Sequence, residues 1–444
     1  MQNVRLFEYD KSMLSESERR VVDILLEAGN VIHKVWQRQV DQDTGRLTVY
    51  PEDATKEEIL AAAEKDPALL SGTTLVRRVN GKLEAVDYLD EYGDDLKEFY
   101  ALLTQAKDAS DDPDLKIYID KVIKACSAGD YQASLIAFLE NPQTKIEFSA
   151  GPFETYEDNL LGRKKTFQFN LRVLNQTATQ DILNMIDVMK NIRLPQPDTS
   201  FGSKLEKNQI QVRIDDVLMF AGRQSTHLVS SANLPNEPEL VKKYGTKVVV
   251  FTTSMSMKFD KRHVPLMKFF CDNCDEEHVE KLRAAMFNWV ALHEIAEGTV
   301  KFSSTESRLK SNYDFIRELN AHAVGLDSAK YHILNGFSTL EQYQDLLMAF
   351  AIFATDMCNH YQESGALLDY AKGFAVMFNI GFRSGAFKVE DGKMAIDYTQ
   401  LASDLEALSH LTLRIMEQGD EDDANKLLKE YGDFAVFDRL PKLK

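Results

Sequence analysis

The sequence predicts a mixed α+β chain, with a strand-bearing amino-terminal half beside a helical carboxy-terminal half. Three observations carry this. In the middle of the chain apolar residues alternate or run on, as in "TKIEFSAG" (144–151), "NQIQVRIDDVLMFAG" (208–222) and "TKVVVFTTSM" (246–255), which is strand patterning. From about residue 277 they recur at three- and four-residue spacing over 278–300, 312–335, 340–363, 366–381 and 396–430, the helical period. At 444 residues the chain exceeds what one hydrophobic core usually serves, so two packed lobes are expected.

In chain order, residues 15–40 predict an amphipathic helix starting at Ser15 or Ser17 and carrying Val21, Ile24, Leu25, Val31 and Ile32. "TTLVRRVNGKLEAVDY" (73–88) alternates around Asn80-Gly81, the strongest short-range hairpin signal. Helical periodicity resumes through 95–107, 113–126 and 129–140, and later Gly385 and "EDGK" (390–393) mark turns. Residues 1–276 thus form a mixed, strand-rich region and 277–444 a mainly helical one. No repeat, low-complexity tract or long linker separates them, so the lobes are expected to interleave in sequence.

Charge narrows the partners. With 52 Lys and Arg against 70 Asp and Glu, the net charge is −18, which repels phosphate backbones and argues against nucleic acid. No stretch approaches a membrane span and the first twenty residues lack an apolar targeting core, so no membrane partner and a cytoplasmic location are expected. Four cysteines make no disulfide framework. In "CDNCDEEH" (271–278) Cys271 and Cys274 lack a second Cys-x-x-Cys, and a solvent-facing turn is expected rather than a zinc ribbon or redox pair. A Gly-rich phosphate loop is absent.

The chemistry-bearing stretch is "WVALHEIAEGTVKF" (289–302). On a helix, His293 and Glu297 project from one face a turn apart. That spacing lets two ligands grip one metal ion, and Glu294 stands where a zincin keeps its general base. The next helix, "NYDFIRELNAHAVGLDSAKYHIL" (312–334), carries Glu318 and His322, again four apart. Packed together, the two helices offer two imidazoles and two carboxylates to one point. The alternative is a pair of interhelical ion pairs, but burying that much charge without a cation or close pairing is expensive.

Ordered segments then carry a resemblance over most of the chain: "AGPFETYEDNLLGRKKTF" (150–167), "SANLPNEPELVKKYGTK" (231–247), "ALHEIAEG" (291–298), "RELNAHAVGL" (317–326), "DYAKGFAVMFNIGFRSGAF" (369–387) and "EQGDEDDANKLLKEYG" (417–432). The chain resembles the dipeptidyl peptidase III family of zinc exopeptidases, in particular its shorter bacterial-type and Nudix-linked relatives. The resemblance implies a two-lobed α+β fold: a mostly helical metal-binding lobe, a lobe with a β-barrel core, and a cleft between. It implies that His293 is a zinc ligand, Glu294 the water-activating base and Glu318 the ligand from the second helix. It also implies an oxyanion-stabilising role for Tyr156, backbone-holding roles for Asn233 and Asn236, and a place near the substrate's amino end for Glu154.

The departures from the family pattern are as informative. The second zinc histidine is replaced by Glu297, and the carboxylate that would orient it by His322, as if a His–carboxylate pair had been exchanged end for end. Arg317 replaces the glutamate before the metal glutamate. Gln168 stands for a carboxylate that binds the substrate ammonium, and Tyr370 for a cleft histidine that serves the transition state. A ligand set drawn from His293, Glu297, Glu318 and His322 predicts one divalent cation. The mixed imidazole–carboxylate character favours Fe(II) or Mn(II) and the resemblance favours Zn(II). Three expectations follow: a metalloenzyme repurposed toward non-haem iron oxygenation of a small apolar or aromatic substrate; a zinc exopeptidase releasing dipeptides from peptide amino termini; or an inactive homologue acting as a binding protein.

Overall fold

The computed structural model describes residues 3–442 apart from 42, 156, 190–209, 227, 236–237, 272–273 and 300–303. The fold is α+β, in two compact units: Met1–Asn175 with Asp215–Val229, and Gln176–Ile214 with Ser230–Lys444.

The first unit opens with β1 (Arg5–Leu6) and α1 (Glu16–Gln39). Ser15 sets the start of α1: its hydroxyl accepts from the Glu18 N–H, while the Glu18 carboxylate accepts from the Ser15 N–H, satisfying two otherwise orphaned donors. After α2 (Lys56–Ala63), β2 (Thr74–Val79) and β3 (Lys82–Asp87) form the expected hairpin. Its central residues Asn80 and Gly81 have φ of 49° and 76°, the left-handed pair that matches strand twist. Three helices follow, α3 (Tyr88–Ala109), α4 (Pro113–Ser127) and α5 (Tyr131–Glu140), capped by Asp87, Asp112 and Asp130. Then β4 (Ile146–Glu154) and β5 (Thr166–Leu174) pair antiparallel, and β6 (Ile210–Gly222) pairs with β5 from Gln168↔Gly222 to Leu174↔Asp215 and carries β1. The first residues of β6, Ile210–Ile214, belong to the second unit.

β4 and β5 are buried on both faces along nearly their whole length, so polar positions inside them must be paired. Arg172 meets Asp215 at 2.8 Å and also contacts Glu147, all three buried. The β4–β5 connection is folded around Asp158. Its carboxylate accepts the backbone N–H groups of Leu160, Leu161, Arg163 and Lys164 and the Tyr50 hydroxyl. Four backbone donors explain why Asp158 is held below the usual carboxylate range despite burial.

The second unit contains α6 (Gln176–Met189), β7 (Ser231–Leu234), α7 (Pro238–Tyr244) and β8 (Thr246–Phe251), with β7 and β8 antiparallel. It continues through α8 (Thr252–Lys258), α9 (Val264–Met267), α10 (Glu276–Thr299), α11 (Thr305–Leu309), α12 (Tyr313–Leu334), α13 (Leu340–Ser364) and α14 (Leu368–Ser384). The hairpin β9 (Phe387–Glu390) and β10 (Lys393–Ile396) precedes α15 (Tyr398–Gln418) and α16 (Glu421–Tyr431). At its centre α12 packs against α10, α14 and α15. From Glu318 to Ala329 every residue of α12 is buried, the mark of a helix enclosed all round.

Several elements differ from the sequence reading. The strand expected to reach residue 255 ends at Phe251, because Thr252, Met255 and Phe259 are buried at helical spacing and the chain continues as α8. The stretch 396–430 is broken at Gly419, where Asp420 caps a new helix. Strand β5 and helix α6 were not separately legible. Cys271 and Cys274, expected to be a plain turn, are disulfide-bonded, with Cα atoms 6.0 Å apart, within bridging reach. Among the described residues no helix is long and apolar enough to cross a membrane.

Candidate metal centre

The site forms where α10 crosses α12. Asp275 caps α10, its carboxylate accepting the His278 N–H at 2.9 Å, and the helix runs through to Thr299. His293 and Glu297 share one face of α10, and Glu318 and His322 one face of α12. The two backbones meet closely at Gly325, which lies on the ligand-bearing face of α12 (seven residues after Glu318). A Cβ there would stand 3.1 Å from the His293 nitrogen and from the Leu292 carbonyl.

The structure brings together His293, Glu318 and His322, all buried, with one ligand atom of each within 4.8 Å of the others. His293 Nε2 is 3.5 Å from Glu318 Oε2, and the two imidazole rings are 4.6 Å apart at their centres. His293, Glu294 and Glu297 form a second grouping of the same kind. Glu297 and His322, expected as an exchanged pair, make no contact among the described residues. Glu297 instead meets Arg317, which also binds Glu318 Oε1 at 2.9 Å. The reason is reach: Arg317 precedes Glu318 on α12, and its long side chain extends back to α10.

Four polar atoms at the crossing are buried without a hydrogen-bond partner: His293 Nδ1, Glu318 Oε2 and both ring nitrogens of His322. An unsatisfied buried imidazole costs on the order of 1–3 kcal/mol. Three such side chains, each offering one ligand atom within 4.8 Å of the others, fit a divalent cation. Two neutral imidazoles and one carboxylate are a ligand set found around zinc and around non-haem iron. Burial holds His293 neutral, its pKa lowered to about 4 against the charge of Glu297, and burial together with His293 puts that of His322 well below the ordinary imidazole value. Both rings are therefore in the form that binds metal. Burial and the charge of Glu297 push Glu294 and Glu318 up to about 8; a cation at the crossing would draw both back down.

Around these ligands the wall is aromatic. Phe374 stacks on His322 with ring centres 4.8 Å apart, and Trp289 lies 5.7 Å from the same ring and 6.0 Å from His293. Tyr370 is 6.0 Å from His322 and sits close enough to Glu318 to favour its carboxylate. Burial and the charge of Glu318 keep the Tyr370 hydroxyl well above its ordinary range, so it is a donor and not a base. Glu294, one position after His293, accepts a 2.6 Å hydrogen bond from Ser231 on β7.

The other expected site residues fall into three groups. Asn233, on β7 opposite Val248, lies near Gly298 at the end of α10, and its Oδ1 is buried without a partner. Glu154 ends β4, and Gln168 is buried in β5 opposite Gly151 and Gly222; both belong to the first unit. Tyr156 and Asn236 lie outside the described residues. Sequence reasoning did not single out Ser231 or Gly325. Ser231 opens the quoted "SANLPN" segment without a spacing signal, whereas Gly325 could have been found from its position on the face of Glu318 and His322.

Gly325→Ala tests the crossing. In an exposed helix this change stabilises by about 1 kcal/mol, but overpacking costs about 1–3 kcal/mol. A net loss of about 1 kcal/mol and weaker cation binding are expected, read by urea unfolding and metal titration. A gain in stability would show that the helices can separate freely.

Comparison with known proteins agrees with this architecture. The profile of Peptidase family M49 matches residues 24–331. The structure of DPP III from Caldithrix abyssi superposes with a TM-score of 0.84 at 22% identity, covering 98% of this chain and 95% of that one. Dipeptidyl-peptidase III from Corallococcus sp. strain EGB gives 0.75 at 20% identity, covering 98% and 92%. Among curated sequences, Nudix hydrolase 3 of Arabidopsis thaliana is 26% identical over 373 residues, 82% of this chain; the chain spans only 47% of that protein's length. The structural likenesses establish the two-lobed α+β fold, and the profile covers the crossing of α10 and α12 whole. With residues 24–331 matched, among them His293, Glu318 and His322, the chain belongs to peptidase family M49.

Proposed function

We propose that the chain is a metal-dependent peptidase that holds one divalent cation on His293, Glu318 and His322 and releases dipeptides from peptide amino termini. The convergence of those three buried side chains, with one ligand atom of each within 4.8 Å of the others and Glu318 Oε2 and the His322 ring left without hydrogen-bond partners, carries the proposal. Its dipeptide specificity is supported by the likeness to the two dipeptidyl-peptidase III structures. A divalent cation in such a site polarises a carbonyl and acidifies water. Glu294 would take the water proton; Ser231 fixes its Oε1 and leaves the other oxygen to exchange it. Tyr370 keeps Glu318 turned toward the crossing. Asn233, beside the end of α10, offers an amide for substrate backbone.

A second reading, oxygenation of a small apolar or aromatic substrate at non-haem iron, is favoured by one observation. The third protein ligand is His322, set among the rings of Phe374, Trp289 and Tyr370, which completes two histidines and one carboxylate. One pair of measurements separates the readings: metal content of protein purified without added metal, and release of dipeptide from a dipeptidyl-naphthylamide. Zinc with chelator-sensitive release is expected. Iron with oxygen uptake and no cleavage would replace the first reading by the second, and absence of any cation would leave a binding protein.

A further inference from the structure

Two possible ligand triads share His293. One is completed by Glu318 and His322 from α12, the other by Glu294 and Glu297 from α10 itself. Nothing in the helix spacing chooses between them, since Glu297 stands one turn from His293, as a ligand should. We propose that Arg317 makes this choice: by holding Glu297 it withholds that carboxylate from the cation and leaves His293, Glu318 and His322 to bind it. Arg317 is thus a positioning residue that determines metal specificity, and the inference rests on the metal-centre reading above.

The geometry supports both halves of this role. One guanidinium nitrogen contacts Glu297, while the other binds Glu318 Oε1 at 2.9 Å and Asp314 at 3.3 Å. Glu318 is left with Oε2, the oxygen 3.5 Å from His293 Nε2 and without a hydrogen-bond partner. Arg317 therefore neutralises the charge of Glu297, which stands outside the grouping of His293, Glu318 and His322, and leaves Glu318 one oxygen turned toward His293. The side chains of Arg317, Glu297 and Glu318 are only 24%, 18% and 4% exposed, so solvent screens the clamp less than a surface pair. Lysine would substitute only in part, because one ammonium lacks the planar fork that engages two carboxylates at fixed angles.

The test uses the full chain, stripped of metal and titrated with cobalt(II), whose visible bands weaken as coordination number rises. Three protein ligands and water give the wild type a four-coordinate spectrum. In Arg317→Gln, Glu297 joins the cation: the bands lose intensity and manganese(II) binds on the order of tenfold more tightly. Arg317→Gln with Glu297→Gln restores the wild-type spectrum. Thermal melting checks folding, and Arg317→Lys, expected to shift the spectrum part of the way, serves if the glutamine variant does not fold. An unchanged spectrum in both single variants would overturn the proposal. So would a double variant that fails to restore it, since the effect would then come from Glu318. If even the wild type binds no cobalt(II), the metal-centre reading itself falls. None of these outcomes depends on turnover.

Discussion

Glu294→Gln is expected to lower peptide turnover by about 10²–10⁴-fold, the usual range for losing a general base, while leaving the bound cation in place. The amide keeps the size of the carboxylate, and its carbonyl oxygen can still accept the Ser231 hydroxyl that now holds Oε1 at 2.6 Å. What it loses is basicity. Because Glu294 is absent from the grouping of His293, Glu318 and His322, cation affinity should change little. Metal content and kcat on a dipeptidyl-naphthylamide, measured together, check this. Full activity in the variant would remove Glu294 from the proton-transfer role, and loss of metal would make it a ligand instead. The same variant bears on the second reading, since an oxygenase that left Glu294 unused would keep its oxygen uptake.

His322→Ala is expected to weaken cation binding by more than about 100-fold, beyond what loss of an outer-sphere partner produces. Glu297→Gln should weaken it far less, because Arg317 already occupies Glu297. The contrast is diagnostic, since the four-residue spacings 293–297 and 318–322 do not by themselves rank the two residues. Stability provides an independent readout. A cation that binds the folded chain raises its melting temperature by mass action, so a chelator should lower that of the wild type and of Glu297→Gln. In His322→Ala it should do nothing, whatever stability the smaller side chain itself removes. A chelator effect of full size in His322→Ala would exclude His322 from the ligand set.

Much of this was legible in the sequence because it depends on spacing. The hairpin at Asn80-Gly81, the capped start of α1 and the four-residue intervals 293–297 and 318–322 each follow from local rules. Pairing between elements was harder. Thr252 and Met255 continue a β-rich run, and only their burial with Phe259 shows the switch to helix. That Glu297 pairs with Arg317 rather than with His322 was not legible, because it turns on where Arg317 reaches across the crossing. A long side chain's direction follows from packing, not from its position in the chain. The Cys271–Cys274 bridge was missed for a related reason: a single Cys-x-x-Cys does not say whether its sulfurs face each other. The roles expected of Glu154, Gln168, Asn233 and Tyr370 came from family resemblance, and the geometry gives each a location without testing its role.

The near contact of α10 and α12 at Gly325 has a consequence for how such a protein can change. Main chain, not side chain, fixes the distance between the helices there, so positions 293, 297, 318 and 322 act as four fixed sockets. Imidazole and carboxylate can be traded among those sockets while the scaffold stays intact. Selection, or a designer, could therefore retune the preferred cation at that crossing one residue at a time, without first inventing a new fold.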